Sequence, residues 1–232
     1  MSEIILLENL LRAGLKLAVP LWLAALGESC AERSGVINIG VEGMMLIGAF
    51  TGMVVGFYTG SPWLGLLAGI AGGALMAFLF AILTVRLAGD QIIIGMALNL
   101  IALGLTGFLY RRLFGVTGST LLVNGFEPIR LPIIEHMTVI GSMLSGQPAP
   151  LYLTLLLIPL SGFIFNQTHL GLSVRAAGES PATADTAGLD VRKLRLFSVL
   201  IGGALAGAAG AYLSLAHTHT FIEGMTAGRG FI

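Results

Sequence analysis

The sequence predicts an all-α, polytopic membrane protein with about six or more hydrophobic elements. Three observations carry that expectation. Hydrophobic residues make up 56% of the chain and charged residues only 10%, against about 25% charged in an ordinary soluble domain. Mean hydropathy is +0.92, more apolar surface than one soluble core could hide. Apolar runs near 10–27, 36–58, 62–87, 91–114, 150–166 and 194–216 approach the roughly 20 residues that a helix needs to cross the hydrocarbon. The formal net charge is zero, so no basic face points to nucleic acid. A single cysteine, Cys30, excludes an intramolecular disulfide and a cysteine metal cluster.

The first run follows Glu3 and Glu8, and no small-x-small cleavage site closes it. It is read as a retained membrane helix rather than a signal peptide. The second begins in ERSGVINIGVEGMMLIGAF, residues 32–50, where Glu32, Arg33, Asn38 and Glu42 stand in or beside apolar sequence. An ionised group at membrane depth costs about 2.5 kcal/mol or more. Either the run crosses as one helix or it holds a broken, re-entrant segment near 32–45, which is tolerated only where protein or a water-filled cavity lines it. Glu28, Glu32 and Arg33 fit an interfacial charge cluster or gate.

Glycines then recur every fourth residue, at Gly48, Gly52, Gly56 and Gly60 and again at Gly65, Gly69 and Gly73. Such stripes let membrane helices approach closely, within this chain or at a subunit interface. The fifth run is short and carries Pro159. Trp22 and Trp63 suit interfacial or packing roles. His217 and His219 stand two apart with only Glu223 nearby, so a hydrogen-bonded pair is expected rather than a metal site; His136 and His169 are isolated.

Two connections are too long for turns. Residues 115–149 alternate turn signals with short apolar pieces and are expected to form a structured extracytoplasmic loop. Residues 169–195 contain Arg175, Arg192, Lys193 and Arg195, which places them in the cytoplasm by the positive-inside rule; Arg111, Arg112 and Arg130 weaken the contrast. Counting crossings back leaves the N-terminus outside if 32–45 crosses fully and inside if it re-enters. Within 169–195, Ser180 is a good N-cap and Pro181 a good first helical residue, and Gly188 supplies a stop. The short helix between them would present Ala182, Thr183, Asp185 and Thr186. Two turns are unstable alone, so a receiving surface is expected.

RAAGESPATADTAGLDVRKLRLFSVLIGGALAGAAGAYLSL resembles the cytoplasmic loop and following helix of permease subunits of ATP-binding-cassette importers. ERSGVINIGVEGMMLIGAF resembles the matching early segment of the nucleoside permeases, within the group serving simple sugars and branched-chain amino acids. DQIIIGMALNLIALGLTGFLYR and TAGRGFI are similar to that subgroup too, so the likeness spans nearly all 232 residues. It implies one transmembrane permease domain over 1–232 in a bacterial plasma (inner) membrane. It also implies that the loop helix docks on a separate ATPase subunit, which would hold ATP and magnesium; no cofactor is expected in this chain, and no GxxxxGK[ST] loop occurs in it. The further partners implied are a second permease subunit, homologous or identical, and an extracytoplasmic substrate-binding protein. Permeases of this group continue through further apolar segments beyond GRGFI, so the chain is expected to be C-terminally incomplete.

Asn38, Glu42 and Asn99 are the candidates for the translocation path, since their side chains can bond sugar hydroxyls or base edges from within the membrane. The structural alternatives are helix bridging for the asparagines and, for Glu42, pairing with Arg33 or capping the broken segment. Nucleosides are the expected substrate, because ribose-type permeases carry an acidic residue in place of Asn38; simple sugars are the alternative. An ion-coupled secondary transporter would need a mid-membrane coupling carboxylate, for which Glu42 is the obvious candidate. An intramembrane hydrolase lacks a GxSxG site.

Overall fold

A computed structural model describes residues 2–115, 121–129 and 144–231. Most of the expected 115–149 loop, with Arg130 and His136, lies outside them. Among the described residues six helices are long and apolar enough to cross a membrane. They are α1 (Ser2–Arg33), α2 (Val41–Thr59), α3 (Pro62–Ala81, continued by a π turn over Ile82–Arg86), α4 (Gln91–Phe114), α5 (Ala149–Gln167) and, after two short helices, α8 (Val191–Tyr212, continued by a π turn over Leu213–His217). The short ones are α6 (His169–Glu179) and α7 (Pro181–Thr186). A two-residue antiparallel pair, β1 (Pro128–Ile129) with β2 (Gln147–Pro148), lies ahead of α5.

Each start has a local cause. Asp90 caps α4 by accepting from the Ile92 and Ile93 amides at 2.9 and 3.0 Å. Asp190 caps α8 through the Lys193 amide at 3.0 Å and pairs with the Lys193 ammonium. The amide bond first, and the Lys193 side chain after it, hold the Asp190 carboxyl below the usual carboxylate range. Pro159 sits inside α5 without ending it.

The centre of the molecule is a three-helix junction of α2, α3 and α8 built on missing side chains. A Cβ on Gly48 would lie 2.5 Å from Gly207 Cα, one on Gly73 2.6 Å from the same atom, and one on Gly69 2.5 Å from Ala211 Cβ. Gly52 and Gly65 pack on one another, a Cβ on Gly65 falling 2.6 Å from the Gly52 carbonyl oxygen. The stripes on α2 and α3 therefore face a third stripe on α8, through Gly203, Gly207 and Ala211, within one chain. Met44, Met45, Met53, Phe80 and Tyr212 fill the space around the crossing and are fully buried. α1 crosses α8 where Gly27 meets Gly202. α4 lies against α2, and α5 stands at the edge, packed on α1 and α6 with most of its surface outward. Outward leucines, isoleucines and phenylalanines on α3, α4 and α5 are what a lipid-facing surface requires.

Two interruptions of the helices matter, the first falling within the broken segment expected near 32–45. Residues 34–40 are not helical, so the second apolar run is an unwound lead-in followed by α2. Residues 218–231 form overlapping turns and one 3-10 turn instead of a helix. α6 was not expected as a helix. Thr168, whose hydroxyl accepts from the Gly171 amide at 3.2 Å, starts it.

Candidate functional site

The chain breaks its helices at 34–40 and 218–231, and the two breaks meet. Residues 34–40 are held by side chains from three helices. Glu28 of α1 accepts from the Asn38 amide at 2.9 Å, Gln91 of α4 from the Ile37 amide at 2.8 Å, and Arg195 of α8 donates to the Ser34 carbonyl at 3.1 Å. Asn38 turns its own Oδ1 onto the Gly40 amide at 3.1 Å.

The first turn of α2 then has orphan amides, because Gly40 at its N-cap has no side chain to offer. Asn99 reaches across from α4 to supply the cap. Its Oδ1 accepts from the Gly43 amide at 2.7 Å and its Nδ2 donates to the Ile39 carbonyl at 2.9 Å. The approach is close because Gly43 and Gly95 carry no side chains, a Cβ on Gly95 falling 2.9 Å from the Gly40 nitrogen. Replacing Asn99 with Leu leaves the buried Gly43 amide and the half-buried Ile39 carbonyl unpaired, at up to about 1–3 kcal/mol each. The expected result is a fall in both thermal stability and uptake. Asn99→Asp keeps the acceptor for Gly43 and should recover part of the stability, as a melting curve in detergent would read.

The second break runs back into the bundle. Leu215 packs by Gly56 near the far end of α2. Phe221 follows, edge-on to Phe50 at 5.5 Å and beside Tyr110 at 5.4 Å, and Glu223 pairs with Arg111 at 3.1 Å. The chain finally reaches Glu42, fourteen residues back along α2 from Gly56, or about 21 Å at 1.5 Å per residue. There the Glu42 carboxylate is fully used. Oε1 accepts from the Thr226 hydroxyl at 2.6 Å and the Gly228 amide at 2.8 Å, and Oε2 accepts from the Gly230 amide at 2.7 Å. Gly228, at φ +80°, gives the backbone the left-handed turn that aims both amides at one carboxylate. The Arg229 guanidinium folds over the loop onto the Met225 carbonyl at 2.8 Å. Glu42 is thus a clasp, and it does not pair with Arg33, whose guanidinium lies over the Phe165 ring, 4.7 Å from its centroid.

Between α1 and the two breaks opens a cavity of about 420 Å³ lined by Glu28, Ser29, Glu32, Asn38, Arg229 and Phe231 among others. Of the three residues singled out in the sequence, Asn38 lines it; Glu42 and Asn99 stand behind its wall and fix the segments that form it. Glu28 is drawn inward to the Asn38 amide and buries its Oε2 with no partner in the protein. Arg229 and Phe231 had no sequence signal beyond their place in TAGRGFI.

α7 stands elsewhere, between α6 and α8. Pro181, Ala182, Thr183, Asp185 and Thr186 are exposed and only Ala184 is buried. Its C-terminus closes with two bonds, from the Leu189 amide to the Ala184 carbonyl and from the Gly188 amide to the Asp185 carbonyl, the pairing that a left-handed glycine after a helix makes; Gly188 has φ +85°. Ser180 departs from the expected cap. Its carbonyl accepts from Ala184 at 3.0 Å, but its hydroxyl bonds the Thr183 hydroxyl at 2.7 Å and no backbone amide. His217 and His219 join no group of three or more metal-ligand side chains among the described residues.

Six spans, glycine-packed at the centre and interrupted by irregular backbone around a cavity with charged side chains in its lining, define a polytopic membrane transport protein. The chain belongs to the family described as branched-chain amino acid transport system, permease component, which matches residues 10–232. It is 44% identical over 228 residues to the putative glucose ABC transporter permease protein TsgC13 of Haloferax volcanii, covering 97% of this chain and 68% of that one. It is 35% identical over 241 residues to the guanosine ABC transporter permease protein NupQ of Bacillus subtilis, covering 100% and 75%. A third relative, the nucleoside ABC transporter permease protein NupC of Lactococcus lactis, is 35% identical over 222 residues, covering 93% and 70%. No solved structure matches the chain. The protein is an ABC transporter permease subunit, a multi-pass protein of the plasma membrane.

Proposed function

We propose that this subunit forms the translocation path for nucleosides in an importer driven by a separate ATPase. The observation that carries the reading is the cavity between α1 and the two breaks. One part of its lining offers carboxylates, from Glu28 and Glu32, and the Arg229 guanidinium, which suit ribose hydroxyls and base edges, and Phe231 offers an aromatic face for a base. Its volume is within the range of about 300–1,000 Å³ typical of small-molecule sites. Relatives named for guanosine and nucleosides point the same way. The relative named for glucose, at 44% identity, favours a second reading, a simple sugar held by the polar groups without the ring.

Uptake by the reconstituted full complex separates the two. Labelled guanosine should enter and should be competed by other nucleosides but not by glucose. Phe231→Ala should lower guanosine uptake about tenfold, since stacking a base on an aromatic ring is worth about 1–3 kcal/mol. Glucose uptake indifferent to that substitution would replace the nucleoside reading with the sugar one. Ion coupling through Glu42 is disfavoured, because fixed donors already occupy both carboxylate oxygens.

In this reading the α6–α7 end is cytoplasmic, the 115–149 side is outside, and α7 is the contact with the ATPase. A second permease subunit and an extracytoplasmic binding protein complete the importer. Exposure of five of six α7 residues, in a helix too short to hold itself, supports the contact. Ala184→Pro removes the amide bonded to Ser180 and costs about 3 kcal/mol locally, with the spans untouched. The variant should insert normally and lose copurification with the ATPase; Asp185→Lys, which keeps the helix, should weaken it. Retained copurification in both would sink the contact.

A further inference from the structure

A second cavity, of about 310 Å³, opens between α1, α5, α6 and α8 and is lined almost wholly by apolar side chains, among them Leu26, Leu160, Phe165, Val174 and Phe197. It runs along α5 from Leu157 to Phe165, about 12 Å, and several of its walls are exposed leucines and phenylalanines of the kind that face lipid. Its α6 end is different. The Arg33 guanidinium lies over the Phe165 ring that forms the cavity wall, 4.7 Å from its centroid. On α6, Gly171 and Val174 line the cavity and Gly178 packs against the Arg33 carbonyl. Arg175 falls between them, four residues after Gly171 and three before Gly178, hence on the same helical face. Its Nε is buried with no acceptor. Neither arginine makes an ion pair among the described residues. An apolar slot with two arginines beside one end, neither in an ion pair among the described residues, is complementary to an acyl chain joined to a phosphate.

We propose that this groove binds an anionic phospholipid, with an acyl chain along α5 and the phosphate held at the α6 end by Arg33 and Arg175. The pairing follows from guanidinium geometry, which suits phosphate oxygens and keeps its charge at membrane depth. A bound lipid would tie α6 to α1 and α5. It would thereby steady the segment that carries α7. The site is separate from the cavity beside Asn38 and does not depend on which substrate passes there.

The test uses the full chain in lipid nanodiscs. With Trp22 and Trp63 changed to Phe, Leu160→Trp places one fluorophore in the groove. Its quenching is compared between chain-brominated phosphatidylglycerol and chain-brominated phosphatidylcholine at equal low mole fraction. Phosphatidylglycerol should quench several-fold more strongly, unbrominated phosphatidylglycerol should relieve that quenching, and glycerol 3-phosphate should not. The double variant Arg33→Gln, Arg175→Gln should bring the two lipids to parity, while Arg192→Gln on α8 leaves the preference intact. Should the double variant fail to fold, Arg33→Lys alone, which keeps charge but loses the fork, should lower the preference without removing it. Equal quenching by the two lipids in the starting protein would overturn the proposal, as would a preference for phosphatidylglycerol that survives loss of both arginines.

Discussion

Gly207→Leu should abolish the folded protein rather than weaken it. Gly207 sits where α2, α3 and α8 cross, and a Cβ there would lie 2.9 Å from Gly73 Cα and 3.0 Å from Gly73 N, with the Gly69 carbonyl oxygen nearer still. Every neighbour is backbone, so no side chain can rotate away, and relief requires the helices to separate. Overpacking a core that can shift costs about 1–3 kcal/mol; here separation would also strip contacts from Met44, Met45 and Phe80, which lie in the same core. Monodisperse elution in mild detergent should be lost, and a wild-type melting temperature would contradict the junction. Gly14→Leu, where a Cβ meets nothing within 4 Å, is the matched control and should be silent.

The glycine spacing made that junction partly legible. Four-residue repeats at Gly48, Gly52 and Gly56 and at Gly65, Gly69 and Gly73 announced close-packed faces, because spacing along one helix is a local property. Their partner was not legible. The α8 stripe runs through Gly203, Gly207 and Ala211 within a stretch rich in alanine and glycine, and which of several small-residue faces meets which is decided by the crossing geometry of three helices. The six spans were readable for the same local reason, apolar length. The first break was readable too, since Glu32, Arg33, Asn38 and Glu42 in apolar sequence marked a broken segment near 32–45; the second was not, because 218–231 reads as apolar and turn-forming sequence at the end of a long run. Its re-entry depends on Glu42, 188 residues from Gly230. Asn99 and Glu42 stood out as polar residues at membrane depth, which is a correct reading of cost. What offsets the cost is backbone for Asn99 and two backbone amides with the Thr226 hydroxyl for Glu42, and only the folded chain shows that, since an asparagine that caps a distant helix has no spacing signature.

Glu42→Leu should separate stability from transport more sharply than any other single change. It removes the acceptor for three donors at once, the buried Thr226 hydroxyl and the half-buried Gly228 and Gly230 amides, and a fully buried donor left without a partner costs about 1–3 kcal/mol, a half-buried one less. The penalty falls on residues 226–231, an irregular segment of turns outside the glycine junction, which can relax by leaving its seat. The glycine junction lies elsewhere and keeps its contacts, so the melting temperature should fall by only a few degrees. With the seat lost, Arg229 and Phe231 no longer close the cavity beside Asn38, and uptake should drop to background while membrane insertion is normal. Glu42→Gln sharpens the reading: it keeps one acceptor oxygen but turns an amide donor toward the backbone donors, so it should lie between wild type and Glu42→Leu in both measurements. A cysteine introduced at Thr226, which is buried, should be slow to react with Glu42 present and fast in Glu42→Leu. Protection that is the same in both would mean the carboxylate does not hold the segment, and the cavity would need another explanation for its shape.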